Sequence, residues 1–205
     1  MERQTIQVGG FEVNCSILSE NGKAWIVDPG QEGERIAKLL RERKLAPAAI
    51  LLTHAHFDHI GGIPALRQAF PGLPIYVHEN DKAVISHPMN QLPPEYPPVG
   101  TIGCLEVLKL GGTTDVGGLS VEVIETPGHT PGGVCYHVPA EKLLLSGDTL
   151  FAGSVGRTDL PGGDMATLME SLRKLTVLPD DTTVIPGHGM FTTIGQEKRG
   201  NPFLQ

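Results

Sequence analysis

Five histidines and two aspartates carry the chemistry this chain can do. His54, His56, Asp58 and His59 stand in one run, Thr53-His54-Ala55-His56-Phe57-Asp58-His59, and His129, Asp148 and His188 follow singly. Imidazole nitrogen and carboxylate oxygen are the donors that borderline divalent ions take. A site that also leaves a position for water turns that water into a nucleophile near neutral pH. Such a set can hold two ions side by side, so the expected chemistry is that of a metallohydrolase.

The elements that must position these groups can be read around them. Ala49-Ile50-Leu51-Leu52 is an uninterrupted apolar run, expected as a buried strand that ends where the histidines begin. His54 and His56, two apart, face the same way if the extended conformation continues and can serve one ion. Asp58 and His59, adjacent in a tight loop, point apart and are better placed for a second. Gly61 and Gly62 allow close packing at the start of a helix near 61–70, with Ile63, Leu66 and Phe70 on its apolar face.

The distant donors share one setting. His129 lies in Pro127-Gly128-His129-Thr130-Pro131-Gly132-Gly133 after the alternating segment Leu119 to Ile124. Asp148 follows Leu143-Leu144-Leu145, and His188 follows Thr182-Thr183-Val184-Ile185. Each stands just past a strand, the edge where layered α/β proteins assemble their sites. His78, His87 and His137 lack glycine-flanked strand exits and are assigned structural roles. Ser154 only approximates a nucleophile elbow and is read as loop. No HExxH or CxxC pattern occurs, which excludes the zincin and zinc-finger arrangements, and Cys15, Cys104 and Cys135 are too sparse for a disulfide framework.

The run His54 to His59, Gly128-His129-Thr130-Pro131-Gly132, Ser146-Gly147-Asp148, Pro186-Gly187-His188-Gly189 and the early Asp28-Pro29-Gly30 together resemble the metallo-β-lactamase superfamily. Within it, Gly-Arg-Thr-Asp-Leu-Pro at 156–161 and the ending Asn201-Pro202-Phe203-Leu204 resemble the single-domain bacterial glyoxalase II-like hydrolases. The resemblance implies an α/β fold, a four-layer αββα sandwich with the metal site at one edge of the two sheets. It implies that His54, His56 and His129 bind a first metal, that Asp58, His59 and His188 bind a second, and that Asp148 bridges them. Asp58 and Asp148 are then the catalytic carboxylates. The cofactors are two divalent ions, zinc foremost, with iron or manganese as alternatives. The implied reaction is attack of a metal-bridging hydroxide on a small-molecule thioester such as S-D-lactoylglutathione.

Arg157 is the substrate-binding candidate, because a guanidinium fork matches a carboxylate and glyoxalase II-like enzymes keep a basic residue there; the competing role is an ion pair with Asp159. Asp159 and Met190 stand where the larger glutathione-thioester hydrolases tend to have tyrosines, and the helical substrate domain of those proteins has no counterpart in the 17 residues after His188. Three other readings compete: a mononuclear iron persulfide dioxygenase using His54, His129 and Asp148, a β-lactamase, and a metal-stabilised binding module without catalysis.

Composition fits one domain spanning 1–205. The net charge of -7, from 16 basic against 23 acidic residues, supplies no broad basic face for nucleic acid. No apolar stretch suits secretion or a membrane span, so the expected location is cytoplasmic and no membrane partner is expected. Strands are expected near 4–8, 13–18, 24–28 and 74–78, with a second set near 105–109, 119–125, 133–138 and 142–146 and a last strand at 182–186. Helices are expected near 32–44 and 164–176, the latter capped by Asp164. The proline-rich segment 86–100 is read as a loop over the metal edge, either a substrate flap or a surface connection, with Tyr96 as a pocket candidate.

Overall fold

The computed structural model describes residues 1–91, 105–107 and 113–205. β1 (Glu2–Val8), β2 (Val13–Glu20) and β3 (Lys23–Val27) form an antiparallel meander. α1 (Gly33–Glu42) leads to β4 (Ala46–Leu51), and α2 (Phe57–Ile60) with α3 (Ile63–Ala69) leads to β5 (Ile75–Val77); both strands add in parallel. α4 (Lys82–Ile85) follows, and β6 (Leu105–Val107) pairs in parallel with β5.

A second sheet begins with β7 (Thr113–Val116), β8 (Leu119–Glu125), β9 (Val134–Val138) and β10 (Leu143–Gly147), all antiparallel. A small hairpin, β11 (Leu150–Phe151) and β12 (Ser154–Val155), precedes α5 (Met165–Leu175). β13 (Thr183–Pro186) then joins β10 in parallel, and β14 (Thr192–Thr193) and α6 (Ile194–Gly200) end the fold. The sheet orders are β1-β2-β3-β4-β5-β6 and β14-β13-β10-β9-β8-β7.

Alternation along the strands explains the layers. In β3, Ala24 and Ile26 face one apolar seam with Ile36 and Leu40 of α1, while Trp25 and Val27 face another shared with Val121, Tyr136 and Leu145 of the second sheet. In β10, Leu143 and Leu145 face that same inter-sheet seam, and Leu144 joins Leu168, Leu172 and Leu175 of α5 in a third. Three seams separate four layers, helix, sheet, sheet and helix, as the sandwich expectation requires. Two aromatics in the middle seam also make polar links: Trp25 Nε1 donates to Gly117 O at 3.1 Å, and Tyr136 OH donates to Leu52 O at 2.8 Å, directly under the metal-loop entrance.

The structure corrects several details. The strand near 105–109, grouped above with the second strand set, belongs to the first sheet beside β5; a triplet as short as Leu105-Glu106-Val107 cannot say which edge it joins. The helix expected near 61–70 is α3, and a short helix that was not expected, α2, precedes it; Gly61 and Gly62, packed under the backbone of Pro29 and Gly30, separate the two. The 149–156 segment is a hairpin, and β7, β14 and α6 went unread. Asp164 caps α5 as expected, accepting from Thr167 N at 2.7 Å. Tyr96, Cys104 and the 92–100 part of the proline-rich segment lie outside the described residues. Among the described residues no helix is long and apolar enough to cross a membrane.

Candidate metal centre

All seven donors converge at one edge of the sandwich. His54 and His56 leave β4, Asp58 and His59 lie on α2, His129 lies between β8 and β9, Asp148 follows β10, and His188 follows β13. The first three-histidine group is His54, His56 and His129, and a second group is Asp58, His59 and His188; in each, the donor atoms lie within 4.8 Å of one another. Asp148 stands between them. Its Oδ1 is 3.5 Å from His59 Nε2, and its Oδ2 is 3.6 Å from both His129 Nε2 and His188 Nε2.

The backbone and side chains behind the donors fix which ring nitrogen faces inward. Asp28, at the exit of β3, accepts from Thr53 N at 2.8 Å and from Thr53 Oγ1 at 2.6 Å. With its proton committed to Asp28, Thr53 Oγ1 can only accept from His54 Nδ1, 3.1 Å away, which leaves His54 Nε2 as the free donor atom. His59 Nδ1 donates to Asp28 Oδ2 at 3.0 Å, His129 Nδ1 to Arg157 O at 2.7 Å, and His188 Nδ1 to Phe11 O at 2.8 Å. Four imidazoles therefore present Nε2. His56 presents Nδ1, 2.9 Å from His129 Nε2.

These residues fit divalent ions. His54 Nε2 and Asp148 Oδ1 are buried polar atoms without any hydrogen-bond partner, an arrangement that costs free energy unless something else satisfies them. Zinc–nitrogen bonds of about 2.0–2.1 Å in tetrahedral geometry put neighbouring donors roughly 3.3–3.4 Å apart. The second group matches: His59 Nε2 is 3.3 Å from His188 Nε2, which is 3.3 Å from Asp58 Oδ2. Asp28 also lies within reach of His54 and His59. Its oxygens are already taken by Thr53 and His59 Nδ1, so it orients donors rather than serving as one.

The two groups differ electrostatically. Burial, with the surrounding imidazoles, holds His54 well below the usual histidine value and His56 down at about 3, so both are uncharged at neutral pH. Burial also works against a charge on His59, but Asp148, Asp58 and Asp28 outweigh it and raise the imidazole to about 10. Burial would lift Asp58; His59 and His188 instead hold its carboxyl at about 2. The same balance raises His188, where burial is outweighed by its hydrogen bond to Asp58 and by Asp148.

Four residues that the sequence reading gave no role brace the loops. Asp28 does so as described. Asp81, fully buried, accepts from Ala55 N, Thr130 Oγ1 and Gly132 N at 2.9, 2.9 and 2.6 Å, tying the first metal loop to the His129 loop. Its burial lifts it above the usual carboxylate value against the pull of those donors. Asn90 accepts from Phe57 N and donates to Ala55 O and Val84 O, and Asn14 donates to Pro186 O and Gly189 O on either side of His188. Only Asp28 had a local signal, as part of Asp-Pro-Gly after a strand. Gly187 is dictated by proximity, since a Cβ there would lie 2.1 Å from Asp148 Oδ1 and 2.8 Å from His59 Cε1.

Arg157 reaches the centre through its carbonyl oxygen. Its guanidinium is exposed and paired with Asp159 through Nε at 2.6 Å and Nη2 at 2.7 Å, the competing role weighed for it. His78 accepts from Asn80 N and His137 pairs with Glu122 at 2.8 Å, structural uses of both rings.

A sequence profile of the metallo-beta-lactamase superfamily matches residues 8–188, a span that contains every donor of both groups. The chain belongs to the metallo-beta-lactamase superfamily. Its fold and its His/Asp groups are those of a metallohydrolase that binds divalent metal. The chain is 40% identical to the hydroxyacylglutathione hydrolase GloC of Haemophilus influenzae over 100% of its own length and 98% of that protein's. Among solved structures it is similar to BLEG-1, described as a B3 metallo-beta-lactamase, with a TM-score of 0.90, 40% identity and 99% of each chain covered. It is also similar to TTHA1623 in a di-iron-bound form, with a TM-score of 0.84, 39% identity and coverage of 98% of this chain and 100% of that one.

Proposed function

We propose that this protein hydrolyses small-molecule thioesters in the manner of glyoxalase II, with two metal ions. The observation that carries the reading is two complete donor groups with Asp148 between them. A purely structural site needs one saturated ion, and a mononuclear iron dioxygenase needs only His54, His129 and Asp148, so neither explains Asp58, His59 and His188 beside them. The likeness to GloC supports the thioester over other hydrolysable bonds.

When bound, such ions would supply a water nucleophile at neutral pH and polarise a carbonyl. The protein's own residues do the rest. Asp58 and Asp148 offset two of the four positive charges, leaving a net cationic centre for an oxyanion or a departing thiolate. Asp28 and the carbonyls of Arg157 and Phe11 keep the imidazoles aimed. Zinc is the ion we favour, with iron or manganese accommodated by the same N/O donors; the di-iron form of TTHA1623 favours testing iron in parallel. Arg157 is the proposed contact for a substrate carboxylate, which would have to take the guanidinium from Asp159.

The test is hydrolysis of a thioester panel by metal-loaded protein against its His54→Ala variant. Turnover lost in the variant supports the reading, and equal rates in both reject it. The likeness to BLEG-1 favours a second reading, β-lactam hydrolysis at the same centre, which nitrocefin turnover by the same preparation decides.

A further inference from the structure

The first metal group opens into a pocket of about 230 Å³ that shares His56 with it. Ala83 and Val84 of α4 form one wall, Pro131 beyond His129 a second, and Pro161 with Gly162 a third. We propose that this pocket is the acyl subsite, taking a short, uncharged acyl group while the thiol carrier remains at the open surface. The proposal rests on the thioester reading and specifies which thioesters are used.

Three observations support it. None of the described lining residues is an aspartate, glutamate, lysine or arginine; the polar groups among them are the rings of His56 and His87 and the amides of Asn80 and Asn90, so these walls favour an uncharged group over a fixed charge. Its volume lies below the roughly 300–1,000 Å³ of pockets that enclose a whole ligand, which suits one substituent of the carbonyl rather than the entire ester. Its walls are preformed. Asn90, buried, ties Val84 O to Ala55 O and Phe57 N and so fixes α4 against the metal loop. Gly162 adopts φ +87 where a Cβ would lie 2.7 Å from Pro131, so the second and third walls touch. A rigid, mainly apolar slot beside His56 selects by size with little ordering penalty.

The experiment compares kcat/KM for acetyl, butyryl and hexanoyl thioesters of N-acetylcysteamine, using metal-loaded wild type, Ala83→Trp and Val84→Ala. Ala83 is an exposed helical position, so the tryptophan narrows the pocket without disturbing the core. The wild type should favour butyryl over acetyl by about 10-fold or more, since the two differ by two methylenes and one alone is worth about 10-fold at the low end in an apolar pocket. Ala83→Trp should abolish that preference, and Val84→Ala should move it toward hexanoyl. The non-hydrolysable thioether S-butyl-N-acetylcysteamine should shift the methyl NMR signals of Ala83 and Val84 in wild type. A butyryl-to-acetyl ratio unchanged in both variants, with no methyl shifts, overturns the subsite and leaves thioester hydrolysis standing. If wild type cleaves none of the three esters, the subsite is overturned, and the thioester reading is decided separately by the panel against His54→Ala.

Discussion

The group His54, His56 and His129 contains no carboxylate, and burial keeps its His54 and His56 uncharged, whereas Asp58, His59 and His188 form a mixed group whose His59 is held near 10 by carboxylates on several sides. Both are assembled at the same sheet edge. They prepare for a cation by opposite routes: the first through His54 and His56, uncharged rings with no proton to displace, the second by carboxylate charge that now favours a protonated His59 and would equally favour a metal. Asp148 belongs to both, and Asp28 reaches both, through Thr53 to His54 and directly to His59. Carboxylates shared between the groups therefore set how far the two ions depend on each other.

Removing the shared donor should have the largest effect. Asp148→Ala should lower retention of both ions and hydrolysis by more than the ~10–100-fold typical of losing an outer partner of a metal ligand. Equilibrium dialysis with zinc checks this, and loss of one ion alone would show that the groups are independent. Asp28→Asn should fall within that ~10–100-fold range and weaken the second site more than the first, because His59 loses its charged partner directly while His54 feels the change through Thr53. Asparagine tolerates the left-handed backbone of position 28, φ 49, so the comparison is not confounded by strain there. Stepwise titration with metal resolves the two sites, and equal weakening would erase the distinction between them.

The smallest effect serves as a contrast outside both groups. Hydrogen bonds from the Thr167 side chain and backbone hold the Asp164 carboxyl below its ordinary value of 3.8. A carboxylate depressed in the folded state stabilises above its unfolded value and loses that contribution as pH falls through the folded one. Asp164→Ala should therefore melt below wild type at neutral pH, with the gap closing under pH 4, and bind metal unchanged; thermal melts across pH test this.

The same contrast explains what could be read from the chain before its structure. The contiguous His54 to His59 run carries four of the seven donors, and its spacing after an apolar strand is a local pattern. The three distant donors were legible because each follows an apolar run at a glycine-flanked turn. The layering was implied by the family resemblance; Ala24 to Val27 are all buried and alternate between two seams, which an unbroken apolar run does not reveal. What escaped was support that is local to nothing: Asp81, Asn14 and Asn90 act on loops 26 to 175 residues away, and a lone polar residue in a turn carries no mark of the loop it will brace. The placement of β6 and the short elements β7, β14 and α6 escaped for a related reason, since pairing at sheet edges is decided by tertiary packing rather than by periodicity. Arg157 was visible as a cation, but its engagement by Asp159 depends on loop geometry.

The most direct measurement is elemental analysis of purified protein after saturation with zinc and removal of excess, alongside His188→Ala. Two ions per wild-type chain and one per variant chain are the result expected of paired sites that share Asp148. A single ion per wild-type chain, unchanged by His188→Ala, would contradict the two-ion centre.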